Sequence, residues 1–279
     1  MNVKLECTNP NYLTINVDRS SRTYKKVSFV SREVFEAYEP SDKMLLYKTR
    51  CNKCLACRIY KGYEWSNRLM AEAENWKYVY FLTLTFSDSN YYKINFQKPL
   101  REAQLFIKRL RKKFKGLKFK YYLIGELGEN TLRYHYHLIL YSQEHIFYDM
   151  TKFKKTKNGI LYISNILDKL WSNGMHTIAF AEQNSMRYVA NYVQVNDNVI
   201  SRSMSNGIGF DYINEKKTDG TYLIAGKFSP VPRSIRDKFD LNSKIKQAKE
   251  LHEYQLIFNT TDETKKSNDR LLRKKLYRK

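Results

Sequence analysis

The sequence predicts an α+β protein built on an antiparallel-rich sheet. Two observations lead there. Across residues 78–195, strand-like and amphipathic helical patterns alternate in the order strand, helix, strand, strand, helix, strand, helix. Two of those strands, 119–127 and 132–141, are separated only by Gly128-Glu129-Asn130-Thr131, a hairpin signal. Adjacent hairpin strands joined to helical crossovers make a sheet of ferredoxin-like type. Helices are expected on one face, which leaves the other to carry a site.

The elements follow in chain order. Residues 1–50 hold short strand-like runs at 12–17 and 27–30. The run CNKCLAC, 51–57, precedes a helix expected over 59–75, with Trp65, Leu69 and Ala73 at four-residue spacing. The run YVYFLTLTF, 78–86, is the clearest strand. It is apolar on both faces until Thr83 and Thr85, which places it centrally. Residues 99–115 form an amphipathic helix. Leu100, Ala103, Phe106, Leu110 and Phe114 make its apolar stripe, and Lys108, Arg109, Arg111, Lys112 and Lys113 its basic face.

After the hairpin, KFKKTKNG at 152–159 reads as a basic loop. A short helix at 164–171 is capped by Ser164, a strand spans 176–181, and a helix spans 184–195 with Asn184 or Ser185 at its N-cap. Residues 201–240 are loop-rich, 241–258 form an amphipathic helix, and the basic tail after Asn259 is partly disordered. The expected organisation is an N-terminal segment with the Cys cluster and a helix (1–75), a core (76–200), and a C-terminal loop region with helix and tail (201–279). No internal repeat is visible.

Composition narrows the partner. The formal charge of +22 exceeds what solubility needs and points to a polyanion. Aromatic residues make up 15% of the chain, with 23 Tyr. Cations that hold phosphates, interleaved with rings that stack on bases, suit single-stranded nucleic acid. No apolar run nears the roughly 20 residues of a membrane span, and the first residues lack the apolar segment of a signal peptide. The expected compartment is the cytoplasm, without membrane contact. Cysteines there serve as metal ligands or free thiols before disulfides.

The chemistry centres on His135-Tyr136-His137. Side chains alternate faces along a strand, so both imidazoles point the same way, one pleat apart. With a hairpin loop of Glu129 to Leu132, Gly128 faces Arg133 and Glu126 falls opposite His135, on the same face. Glu126, His135 and His137 then converge; a different register would bring Glu129 instead. Two imidazoles and a carboxylate suit Mn²⁺ or Mg²⁺ with positions left for phosphate and water. The same set also serves non-haem iron oxygenases, a reading the charge and the paired tyrosines oppose.

In MRYVANYV, 186–193, Met186, Val189, Ala190 and Val193 form an apolar face, while Tyr188 and Tyr192 lie one turn apart on another stripe. A phenol is a weak nucleophile unless its target is activated, and a metal on a phosphodiester supplies that activation. Attack leaves a phosphotyrosine and a free 3′-hydroxyl. Two such residues can serve in alternation.

HYH on a strand, an upstream Glu and a later YxxxY helix resemble the HUH endonucleases that initiate rolling-circle replication. The likeness is nearer to the replication initiators of the microviruses, small single-stranded DNA bacteriophages. CTNP at 7–10, CNKCLACR at 51–58, FLTLTF at 81–86, GELGENTLRYHYHLILY at 125–141, YVANYV at 188–193 and SRSMSNGIGFDYI at 201–213 follow the family's order. The resemblance implies an HUH-type nuclease core that nicks a single-stranded DNA origin in the host cytoplasm. It implies a 5′-phosphotyrosyl intermediate on Tyr188 or Tyr192, strand transfer that closes the displaced circle, and host helicase and polymerase as partners. One departure stands out. The family motif reads like YVxKYVxK, whereas Asn191 and Val195 occupy the lysine positions here. Arg187 and the basic run 152–157 are the candidates to compensate. Arg187, Lys108, Arg109, Arg111 and Lys112 are candidate DNA contacts. An alternative reading is a weakly catalytic or non-catalytic single-stranded DNA-binding protein on the same scaffold.

Cys51, Cys54 and Cys57 follow CxxCxxC spacing, and Cys7 is the remaining cysteine. Four thiolates complete a tetrahedral zinc set that would tie the N-terminal segment to the core; an iron–sulfur cluster is the other option.

Overall fold

The structure is a computed structural model, which describes residues 6–18, 23–37, 44–128, 131–157, 159–195, 199–218 and 220–238. The helix expected at 241–258 and the basic tail lie outside these residues. The chain forms two compact units, 1–61 with 254–279, and 62–253.

The first unit carries β1 (Asn11–Asp18), β2 (Thr23–Val30), α1 (Arg32–Ala37) and β3 (Met44–Thr49), and α2 (Leu55–Ala73) begins in it. The strands pair antiparallel in the order β2-β1-β3. Both expected strands are present. β3 was not anticipated, because MLLYKT has no period-two alternation to mark it. α2 starts four residues before its expected position, since the Cys54 carbonyl already accepts from Arg58 N–H at 3.0 Å.

The second unit carries β4 (Tyr78–Thr85), α3 (Arg101–Lys113), β5 (Phe119–Leu127), β6 (Tyr134–Ser142), β7 (Thr151–Thr156), β8 (Gly159–Ile163), α4 (Asn165–Leu170), β9 (His176–Phe180), α5 (Gln183–Val195), β10 (Val199–Met204), α6 (Phe210–Lys216), the small strands β11 (Lys217–Thr218), β12 (Thr221–Ile224) and β13 (Lys227–Pro230), and α7 (Arg233–Lys238). Seven strands form one antiparallel sheet in the order β10-β5-β6-β4-β9-β8-β7. The inner order β5-β6-β4-β9, with α3 after β4 and α4 before β9, is the βαββαβ arrangement the sequence predicted. β4 sits between β6 and β9, as its apolar run requires.

The strand pleat sorts the core into two layers. Tyr80, Leu82, Leu84, Leu123, Tyr136, Leu138 and Leu140 pack against Ala103, Phe106 and Leu110 of α3 and Leu167 and Leu170 of α4. On the opposite face, Tyr122, Ile124, Ile139 and Tyr141 pack with Leu69 and Met70 of α2, Met186, Val189 and Ala190 of α5, and Ile213 of α6. The expectation of helices on a single face is therefore corrected. The apolar stripes of α2 and α5 also need burial, and the second face of the sheet is the apolar surface that provides it.

Two further readings change. The basic loop at 152–159 is largely the hairpin of β7 and β8. Every residue of β7 before Thr156 is exposed, so charged side chains fit both of its faces and the alternation disappears. Lysines on such an edge also oppose pairing with another chain. The loop-rich 201–240 region holds β10, the β11–β13 sheet, α6 and α7. Ser164 caps α4 as expected, its Oγ accepting from Leu167 N–H at 3.2 Å.

Candidate metal centre and its neighbouring tyrosine

The centre exists because β5, β6 and β4 lie side by side. Glu126 opposes His135 and Ile124 opposes His137, so 126, 135 and 137 share one face. The register follows the four-residue turn, with Gly128 N–H donating to the Arg133 carbonyl at 3.0 Å. Glu129 lies outside the described residues. Glu126 Oε1 is 3.1 Å from His135 Nε2 and 3.2 Å from His137 Nε2, and the two Nε2 atoms are 3.2 Å apart. The three groups fall within one coordination sphere.

Each ring is aimed by its far nitrogen. His135 Nδ1 is 3.1 Å from the Arg133 carbonyl. A carbonyl only accepts, so Nδ1 carries the proton and the Nε2 lone pair faces the centre. His137 Nδ1 is 3.1 Å from Thr83 Oγ1, and its ring stacks on Phe81 at 5.2 Å between centroids. Sequence reasoning did not single out Thr83 and Phe81. Their alternation in FLTLT put them on one face, but only the pairing of Thr83 with His137 says beside what.

Burial pushes the Glu126 carboxyl up, yet its hydrogen bonds with His135 and His137 outweigh that and hold it below the usual carboxylate range. Burial pushes His137 below the ordinary imidazole value, with Glu126 opposing. At His135 burial also pulls downward, but Glu126 and the Arg133 carbonyl win and the value rises. Glu126 is 2% exposed and its Oε2 is buried without a hydrogen-bond partner. An ionised, half-satisfied carboxylate facing two imidazole lone pairs is a costly arrangement by itself. A divalent cation would relieve it, so the residues present fit such an ion.

α5 brings the tyrosine. Burial of Met186, Val189 and Ala190 against the sheet turns Tyr188 toward the flank, 40% exposed. Its ring meets His137 edge-on, with centroids 5.7 Å apart and planes at 85°. Tyr192 lies one turn later in α5; its side chain, like those of Asn191 and Val195, is outside the described residues. The helix begins at Gln183, earlier than expected, so Ser185 falls within its first turn rather than at its cap. Ser185 Oγ there accepts from Glu182 N–H at 3.4 Å.

The proposed DNA contacts do not gather at the centre. α3 packs on the other face of the sheet, so Lys108, Arg111 and Lys112 are exposed on the far side. Arg109 Nε donates to the Leu170 carbonyl at 2.7 Å and ties α3 to the end of α4. Arg187 adjoins Tyr188 in α5 and is half-buried.

The four cysteines form a second group. All are free thiols, and their sulfur atoms lie within 4.8 Å of one another. Cys51 and Cys57 Sγ are 3.9 Å apart, as are Cys54 and Cys7. For Cys54, burial opposes ionisation, but amide donors of Cys57 and Thr8 prevail and its thiol falls to about 6. Burial pushes the Cys7 and Cys57 thiols up.

Residues 79–197 match the family of replication-associated protein ORF2. The chain is similar to replication-associated protein ORF2 of Spiroplasma virus 4, 30% identical over 60% of this chain and 57% of that protein. It is 28% identical to replication-associated protein VP4 of Bdellovibrio phage phiMH2K over 80% of each. It is 27% identical to replication-associated protein ORF4 of Chlamydia phage 1, over 64% of this chain and 46% of that protein. The matched stretch thus spans little more than half of the Spiroplasma virus protein. No solved structure is significantly similar. The resemblance to microvirus replication initiators, read from the ordered motifs, is borne out. Among the described residues, no helix is long and apolar enough to cross a membrane.

Proposed function

We propose that this chain, similar as it is to phage replication-associated proteins, is a metal-dependent endonuclease and strand transferase that initiates rolling-circle replication. It nicks a single-stranded DNA origin in the infected host cell and works there beside host helicase and polymerase. The observation that carries this reading is the contact of the Tyr188 ring with His137, one of three convergent ligands.

Glu126, His135 and His137 would hold Mg²⁺ or Mn²⁺. Such an ion, when bound, withdraws electron density from a phosphodiester and offsets charge developing on its oxygens. The chain's own residues do the rest. The Arg133 carbonyl and Thr83 orient the two imidazoles. Tyr188 supplies the nucleophile, and Tyr192 the second one. The phenol oxygen bonds to phosphorus while the P–O3′ bond breaks, and the phenol's proton ends on the departing 3′-hydroxyl. The phosphodiester is exchanged rather than hydrolysed, so an incoming 3′-hydroxyl can reverse the step and rejoin strands.

Asn191 and Val195, where the family motif has lysine, favour the second reading of a single-stranded DNA-binding protein with weak or no cleavage. One gel separates the two. Protein is incubated with a labelled origin oligonucleotide and Mn²⁺, then resolved under denaturing conditions. A protease-sensitive shifted band is expected, absent from the Tyr188→Phe, Tyr192→Phe double variant. No band from the unaltered chain, or a band that survives the double substitution, sinks the nuclease reading.

A further inference from the structure

The motif that nicking does not use is the cysteine cluster, and its geometry is specific. We propose that Cys7, Cys51, Cys54 and Cys57 bind a single Zn²⁺ in a closed tetrathiolate site, which clamps the two ends of the small sheet and keeps the first unit folded.

The sulfur spacing decides between alternatives. A Zn–S bond near 2.3 Å makes the edge of a ZnS₄ tetrahedron about 3.8 Å. The two closest pairs here are at 3.9 Å, and all six lie within 4.8 Å. A four-iron cluster sets each thiolate on a different iron, which spreads the sulfur atoms farther than that. Two disulfides would bring paired sulfurs to about 2.05 Å.

Backbone donors are already aimed at the sulfurs. Cys51 N–H donates to Cys7 Sγ at 3.3 Å. Lys53 and Cys54 N–H both donate to Cys51 Sγ, at 3.4 and 3.3 Å. Asn52 makes that convergence possible by adopting φ 60°, a left-handed conformation asparagine tolerates. Such donors favour thiolate over thiol and orient metal ligands.

The position in the unit explains the purpose. Asn11 of β1 pairs with Thr49 of β3, so Cys7 and Cys51 flank the same end of the sheet, while Cys54 and Cys57 open α2. Between Cys7 and Cys51 run β1, β2, α1 and β3. Among the described residues up to Lys61, the buried apolar side chains are Cys7, Ala56, Cys57 and Ile59, and Val27, Phe29, Val34 and Tyr47 are exposed. A sheet with so little core of its own needs a staple. With four protein ligands no position remains for substrate, so the role is structural.

The test uses the full chain, purified without added metal and dialysed against EDTA. About one zinc per chain is expected by elemental analysis. Its replacement by Co²⁺ should give the near-ultraviolet thiolate-to-cobalt band and the visible bands of a tetrahedral site. The Cys7→Ser, Cys54→Ser double variant should lose most of the zinc, and a protease should cut it within residues 11–49. The His135→Ala, His137→Ala variant should retain the zinc. No zinc in the unaltered chain, iron with acid-labile sulfide in its place, or undiminished zinc in the cysteine variant overturns the proposal. The metal content of the unaltered chain decides the matter even if the cysteine variant fails to fold.

Discussion

The Glu126–His135–His137 centre and the cysteine cluster are two candidate metal sites built on opposite plans. The first draws three ligands from the two paired strands of a single hairpin. It leaves positions open and has a phenol at its edge. The second draws four like ligands from the two ends of the stretch 7–57, and its sulfurs enclose the centre. The contrast shows what each can do. Open coordination with mixed nitrogen and oxygen donors suits an exchangeable hard cation and a reacting phosphate. A closed thiolate shell suits a permanent ion whose binding energy goes into folding.

Breaking one site should leave the other intact. The largest effect is expected from His137→Ala, which removes a ligand and the ring against Tyr188. Adduct formation should fall by roughly 10³-fold or more, with zinc content unchanged. If cleavage persists within tenfold in a single-turnover assay, the centre is not the active site.

Cys54→Ser should act on stability instead. A lowering of the first thermal transition on the order of 10 °C is expected by calorimetry. Adduct formation per folded molecule should change less than it does in His137→Ala. An unchanged transition would remove the structural role.

Thr83→Val keeps the shape and deletes the partner of His137 Nδ1. Loss of such an orienting bond lowers metal affinity by about 10- to 100-fold. Titration of Mn²⁺ by calorimetry checks this, and unaltered affinity would show that Phe81 stacking alone positions the ring.

The pH dependence has a definite sign. The proton must leave His135 before an ion can bind, and the His135 value stands above the ordinary 6.5. Mn²⁺ affinity should therefore be constant above that raised value and fall about tenfold per unit below it. Glu126→Gln removes the partner that raises His135, so the bend should move toward lower pH while the plateau weakens. A bend that stays in place would assign the titration to another group.

The smallest effect separates the two faces of the sheet. Lys112→Ala on α3 should change adduct formation by less than about twofold, because it lies on the far face from the centre. Arg187→Ala beside Tyr188 should cost more, with a shallower salt dependence of DNA binding, as expected for a lost phosphate contact.

Much of the centre was legible because its rules are local. A strand has period two and a four-residue turn sets a register, so Glu126, His135 and His137 could be aligned from the run 125–141 alone. The supports were not legible. Thr83 reaches His137 through a β4–β6 pairing, and β10 reaches β5 across a long stretch of chain with a polar SRSM run that carries little strand signal. β7 was read as a loop because an exposed edge imposes no apolar alternation.

The sequence alone determined the ligand types, the shared face of the two imidazoles, the hairpin register and the inner strand order. Each follows from chain spacing and backbone geometry within a few residues. Only the tertiary structure decided that Tyr188 lies against His137, that helices cover both faces, and that Cys7 joins the other three thiols. Those contacts depend on how apolar stripes from distant segments find a common surface to bury, and local spacing does not specify that surface.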